Sequence, residues 1–217
     1  MFARIADRYD LLNRVLSVGI DRRWRREILR AAGGVRGRVV VDACCGTGDV
    51  GLLLARNGAH VLGVDFTREM LGHAVEKAGP SAALFVQGDA LRLPVADRSA
   101  DIATIAFGIR NVMDRRQGLT ELARVVKPGG RIFVLEFSMP EGRFLGSVYR
   151  FYFRRVLPWI GGIVSGDPAA YRYLPDTVLI WPSPEEFARE MEEAGLVACG
   201  FQRLSGGIAT LSHGRAP

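Results

Sequence analysis

Five short apolar runs alternate with segments of helical periodicity, and that alternation narrows what the chain can fold into more than any other feature. RVVVDA (38–43), AHVLGVD (59–65), AALFVQGD (82–89), ADIATIAFG (100–108) and GRIFVLEFS (130–138) are dense in Val, Ile, Leu and Phe, as strands covered on both faces must be. Between them, residues 50–56, 68–77 and 115–126 carry helix patterns. Strand, helix, strand units of this length build a doubly wound α/β sheet with right-handed crossovers and helices on both faces. After Pro182, SPEEFAREMEEAGL reads as a further helix, with Ser183 at the cap, Pro184 at the first helical position, Glu186 three residues past the cap and Gly195 ending it. VACGFQRL (197–204) and GIATLSHG (207–214) flank Ser205-Gly206 and read as strands joined by a tight turn, which makes the last strand antiparallel.

A chain of 217 residues with 48% hydrophobic content fills one core, so a single domain is expected. No signal pattern opens it, and no uncharged apolar run approaches the ~18 residues that cross a bilayer, so a cytoplasmic location is expected. The three cysteines make no disulfide framework and no zinc spacing. No metal is expected, and adjacent Cys44 and Cys45 read as compact packing residues at a strand end. The net charge of +6 is almost all arginine, Lys77 and Lys127 being the only lysines. Those arginines are scattered and not interleaved with stacking aromatics, so nucleic acid is not an expected partner.

The loop ACCGTGDVG (43–51) admits three readings. Gly46-x-Gly48-x-x-Gly51 spells a dinucleotide fingerprint, the cysteine pair suggests thiol chemistry, and the frame from Asp42 suggests S-adenosylmethionine. Glycines at a helix start bring main-chain amides to a pyrophosphate or to a methionine carboxylate equally well. Asp65, at the end of the second strand, suits two ribose hydroxyls in either class. Gly88-Asp89-Ala90 discriminates, because an acidic residue ending the third strand resembles the adenine-edge position of class I methyltransferases. Five parallel strands, a helix and a terminal hairpin likewise resemble that Rossmann-like fold, a seven-stranded, mainly parallel sheet with an antiparallel last strand. The second mononucleotide half of a dehydrogenase is missing from that order. The cofactor read from the chain is S-adenosyl-L-methionine, with Asp42, Gly46, Thr47, Gly48, Asp65, Phe66, Asp89, Ala90 and Ala106 as its expected contacts.

Longer motifs carry a narrower resemblance. RYDLLNRVLSVGIDRRWRR (8–26), FGIRNV (107–112), RVVKPGGRIFVLEFS (124–138), YRYLPDTVLIWP (171–182) and LSGGIA (204–209) are similar to segments of the ubiquinone/menaquinone biosynthesis C-methyltransferases. PGG before a strand is widespread, whereas FGIRN together with YDxxN is selective. The chain departs from the family pattern at Asp21, where a histidine is usual, at Cys44-Cys45 in place of small residues, and at Ala106, where many members carry serine.

The resemblance implies methylation of a ring carbon on a polyprenylated hydroquinone, demethylmenaquinol or the equivalent ubiquinone-pathway benzoquinol. Only the reduced ring feeds electrons to that carbon, through a phenolate oxygen. The resemblance places Arg110 at that oxygen as an electrostatic stabiliser, since a guanidinium stays protonated, with Asn111 beside it and Tyr9 and Asp10, buttressed by Asn13, closing over the site. It also divides the domain into an N-terminal helical cap (1–34) and a helical substrate cover (140–182). Within the cover, RFLGSVYRFYFRRVLPWIGGIV (143–164) combines aromatics, aliphatics and arginines, as a wall for the prenyl tail and a peripheral membrane contact would. A homodimer is left open. The competing functions are a same-fold methyltransferase for another phenolic or lipid-like acceptor, a nicotinamide-dependent reductase, and a non-catalytic adenosylmethionine-binding scaffold.

Overall fold

The computed structural model describes residues 19–79, 83–140, 149 and 177–217. Tyr9, Asp10 and Asn13, and all of the 140–182 cover between 141 and 176 except Tyr149, lie outside the described residues. The chain order is α1 (Asp21–Ala31), β1 (Val39–Ala43), α2 (Asp49–Arg56), β2 (His60–Asp65), α3 (Arg68–Ala78), β3 (Ala83–Gln87), β4 (Ala100–Ala106), a 3-10 turn (Ile109–Asn111), α4 (Arg115–Val125), β5 (Val126–Phe137), α5 (Pro184–Glu193), β6 (Val197–Leu204) and β7 (Ala209–Arg215).

The strands form one seven-stranded sheet in the order β3-β2-β1-β4-β5-β7-β6. β1 to β5 pair in parallel, and β7 runs antiparallel between β5 and β6. The order reverses direction at β1 and β4, where the crossovers part to opposite faces and leave a crevice at the carboxyl ends of the strands. Strand alternation divides the core accordingly. On β5, Ile132 and Val134 pack with Leu119, Leu122, Phe187 and Met191 of α4 and α5. Phe133 and Leu135 pack with Trp24, Ile28, Leu52 and Leu54 of α1 and α2.

The α5 cap forms as its residues dictate. Ser183 Oγ accepts from the Glu186 amide at 3.2 Å while the Glu186 carboxylate accepts from the Ser183 amide at 2.8 Å. Arg115 grips Glu190 through two bonds of 2.6 and 2.7 Å, tying α4 to α5. Two boundaries differ from the sequence reading. β5 begins at Val126, not 130, because Val126 already pairs with Ala100 of β4 before the ladder breaks and resumes with Arg131 opposite Ile102. The interruption falls at Lys127-Pro128-Gly129-Gly130, where proline has no N–H for the ladder and the chain bulges. β3 ends at Gln87, two residues short of Asp89, because Gly88 turns inward to pack on Pro94 and Val64 and the chain then closes a bridge from Asp89 to Arg92.

Candidate active site

At the carboxyl edge of the sheet, the loop after β1 turns sharply into α2. Gly48 caps that helix with φ +80°, a left-handed conformation, and a Cβ there would sit 2.9 Å from the Phe85 ring and 3.1 Å from Ala74. Asp65 fastens the loop from β2, one carboxylate oxygen accepting from the Gly46 amide and the other from the Thr67 amide, both at 2.8 Å. Each oxygen keeps a further lone pair and the side chain is half-buried, so two adjacent hydroxyls can still donate to it. Phe66 beside it is 73% exposed. Asp89 is exposed two residues past the end of β3, its Oδ1 turned to the Leu91 amide at 2.9 Å, with Ala90 next to it half-buried.

The floor of the cleft is buttressed from below. Asp42 is almost wholly buried and accepts from Thr104 Oγ1 at 2.6 Å and from the Gly51 amide at 2.9 Å. Burial pushes its carboxyl up to about 7 against the pull of Thr104, Gly51 and Arg25. Lys77 bonds both Thr47 Oγ1 at 2.9 Å and Asp49 at 2.7 Å, which pins the start of α2. Asp42, Gly46, Thr47 and Ala106 line one pocket together with Arg25 and Phe107. Burial, reinforced by Asp42 and Asp65, drives the Cys44 and Cys45 thiols far above their ordinary range, so they stay protonated and unreactive. Among the described residues, no cluster of His, Cys, Asp or Glu could hold a metal ion.

Cys44 adopts φ +49° and presses its Cβ against Gly108 so closely that a methyl group at 108 would overlap it. Gly108→Ala should therefore destabilise the fold by about 1–3 kcal/mol. Cys44→Gly, which removes the opposing Cβ and relieves the left-handed strain, should restore most of the loss in the double variant. Urea unfolding midpoints of the four proteins check this, and an unrescued double variant would place the conflict elsewhere.

Beyond the pocket, the turn after β4 lifts Arg110 toward β5. Its guanidinium pairs with Glu136, both side chains being less than 10% exposed, and lies over the Phe137 ring with its carbon 5.4 Å from the centroid. Phe137 stacks on Phe107 at 4.6 Å and meets Trp24 edge-on at 5.9 Å. Arg25, ion-paired with Asp21, covers Phe107 from the other side. Burial raises the Glu136 carboxyl although Arg110 opposes the shift. Asn111 follows in the 3-10 turn with its amide bonded to the Gly108 carbonyl.

The structure thus brings Asp42, Gly46, Thr47 and Ala106 together in one pocket, with Gly48 and Asp65 shaping its loop and Phe66 and Asp89 exposed nearby, while Arg110 lies behind the pocket's Phe107 through the Phe137 ring. Four further candidates emerge only in three dimensions: Glu136, Arg25, Phe107 and Phe137. Glu136 carried one signal, a carboxylate inside the apolar run IFVLEF.

A sheet ordered 3-2-1-4-5-7-6 with an antiparallel seventh strand, and a Gly-rich loop and acidic strand ends at its open edge, define a Rossmann-like class I methyltransferase fold. The crystal structure of a SAM dependent methyltransferase from Aquifex aeolicus shares it, with a TM-score of 0.65 over 89% of each chain at 20% identity. The chain belongs to the ubiE/COQ5 methyltransferase family, whose model matches residues 1–215. Among its relatives, the ubiquinone/menaquinone biosynthesis C-methyltransferase UbiE of Syntrophotalea carbinolica is 49% identical over 99% of this chain and 92% of that protein. The demethylmenaquinone methyltransferase of Deinococcus radiodurans is 48% identical over 96% of this chain and 88% of that protein.

Proposed function

We propose that this chain methylates a ring carbon of a polyprenylated hydroquinone of the demethylmenaquinol type, with Arg110 holding the adjacent ring oxygen as its phenolate. As a member of its family, the chain is an S-adenosyl-L-methionine-dependent C-methyltransferase, and its substrate is a quinol. The single observation that supports Arg110 in this role is a permanently charged guanidinium, buried against an aromatic wall whose Phe107 lines the pocket of the glycine loop.

The residues present fit the cofactor. The free lone pairs of Asp65 suit the ribose hydroxyls, the open face of Phe66 suits the purine, Asp89 and Ala90 suit its edge, and the amides around Gly46, Thr47 and Gly48 suit the carboxylate. When bound, the cofactor supplies an electrophilic methyl group on sulfonium. The protein supplies the rest by holding the ring carbon in line, stabilising charge on the ring oxygen and keeping water out. Trp24, Phe107 and Phe137 give that oxygen a low-dielectric surround, in which the attraction of Arg110 is stronger than in water.

Tyr9, Asp10 and the 1–34 cap close over this cleft in the same reading, and the 140–182 cover receives the prenyl tail. Such a tail partitions into lipid, which supports a peripheral membrane contact. Among the described residues, no helix is long and apolar enough to cross a membrane. A homodimer also belongs to this reading, and sedimentation of the purified protein tests it.

The deciding experiment incubates the protein with methyl-labelled S-adenosyl-L-methionine and matched reduced and oxidised demethylated naphthoquinones and benzoquinones. Label should appear on a ring carbon, from the quinol only. Equal transfer to the oxidised ring, or transfer to oxygen, would overturn the reading.

A further inference from the structure

A groove of about 510 Å³ lies between α1 and α2, with the last turn of α3 at one side. Helix periodicity builds it: α2 turns Asp49, Leu52, Leu53 and Arg56 to it at the i, i+3, i+4, i+7 spacing of a single face. Two layers of charge surround the leucine floor. In the inner layer both carboxylates are taken, Asp21 by Arg25, and Asp49 by Lys77 at 2.7 Å and Arg25 at 3.5 Å, while Lys77 also bonds Thr47 Oγ1 at 2.9 Å. The outer layer is Arg22, Arg26 and Arg56, all exposed and, among the described residues, without an ion pair or a hydrogen bond. Five cations thus face two carboxylates around one cavity, and the excess charge sits on the three outer guanidinium groups.

We infer that this groove binds the headgroup phosphate of an anionic phospholipid and so seats the enzyme on a bilayer. This rests on the quinol reading above, because a polyprenyl tail confines the substrate to lipid. The lining matches that occupant part by part. Like charges crowded around one cavity repel one another, and an anion between them relieves the repulsion. Guanidinium forks match phosphate oxygens in pairs and stay charged at every working pH. Leu52 and Leu53 offer an apolar floor to the glycerol and the first methylenes of the chains.

The place of the groove gives the contact its use. Arg25 and Asp49 line both the groove and the pocket of the glycine loop, so the two are neighbours. A headgroup held by the outer arginines sets the bilayer beside the cofactor pocket, which a tailed ring then reaches without crossing water. The arginines involved are 30 or more residues apart in the chain, and it is the packing of α1 on α2 that gathers Arg22 and Arg26 with Arg56.

The test combines Arg22→Gln, Arg26→Gln and Arg56→Gln in the full chain and measures co-sedimentation with vesicles of phosphatidylglycerol and phosphatidylcholine, or of phosphatidylcholine alone. Wild type should prefer the anionic vesicles and lose that preference as salt is raised. Each arginine near an anionic surface is worth about fivefold in binding, so the triple variant should bind them about 100-fold more weakly. Its turnover of a short-tailed demethylated quinol in free solution should stay within about twofold of wild type, whereas turnover of a long-tailed quinol carried in the anionic vesicles should fall by about tenfold or more. Should the triple variant fail to fold, the three single variants decide, each by its own loss of about fivefold. Variants that bind within the error of wild type, wild type that binds neutral and anionic vesicles alike, or wild type that binds free pyrophosphate but neither kind of vesicle would each overturn the proposal. Wild type inactive on every quinol would instead overturn the quinol reading beneath it, which the sedimentation measurement does not touch.

Discussion

Arg110→Leu should abolish measurable methyl transfer and cost about 3–5 kcal/mol of stability, because it leaves the Glu136 carboxylate buried and uncompensated. Adding Glu136→Leu should return most of that stability and none of the activity. The argument is thermodynamic. Desolvating two charges in the interior costs several kcal/mol per ion, their attraction barely repays it, and an apolar pair of similar volume is often as stable. The surrounding rings of Phe137, Phe107 and Trp24 would accept such a pair without leaving polar atoms stranded. Catalysis should not recover, since loss of a single preorganised charge partner costs about 10²–10³-fold or more. Urea unfolding and turnover of the two single variants and the double variant check the cycle. A double variant no more stable than Arg110→Leu would show that the pair is structural, and the case for its catalytic role would fail.

The fold was legible because its signals are local and redundant. Each parallel strand is an apolar run, α5 carries its complete cap, and each crossover is long enough to hold the helix that joins parallel neighbours. What escaped was set by packing across distance. The early end of β3 follows from Gly88 meeting Pro94, and the early start of β5 from Val126 pairing with Ala100 ahead of the bulge. The cofactor corner was legible as residue types at strand ends, but not the division of labour within it. Asp42 faces inward onto Thr104 and Gly51, while Asp65 both clamps the loop and keeps lone pairs toward the cleft.

Glu136 shows most clearly where a linear reading stops. In sequence it is one carboxylate at the end of an apolar strand, and its partner lies 26 residues earlier in a turn with no charge pattern linking the two. Trp24 and Arg25 belong to α1, before the first strand, yet the packing of α1 on β5 and β7 carries them to the same ring cluster. Such coincidences arise from the topology, which sets the ends of β4 and β5 side by side beneath the loop from β1.

The same inward-facing chemistry makes Asp42 the second sensitive point. Asp42→Ala strands the Gly51 amide and the Thr104 hydroxyl in the interior, and should cost about 2–6 kcal/mol at 1–3 for each unsatisfied group. Asp42→Asn should cost far less. Its carbonyl can take the Gly51 N–H, and its amide can donate to Thr104 once that hydroxyl turns. The two variants also separate by pH. The native carboxyl holds its proton to about 7, with burial outweighing Thr104, Gly51 and Arg25, whereas the unfolded chain releases it near the ordinary 3.8 of a solvated aspartate. Between those values the native state binds more protons than the unfolded state, so this group's contribution is fully present below about pH 4. It is lost as pH rises to about 7, by at most roughly 1.4 kcal/mol per unit. Wild type should therefore lose ground to Asp42→Asn steadily from pH 4 to 7, measured as the difference between their unfolding free energies at each pH, which cancels every other titrating group. A difference independent of pH would mean that Asp42 is ionised throughout, held so by Arg25 and its two donors, and that the base of the loop carries a fixed negative charge.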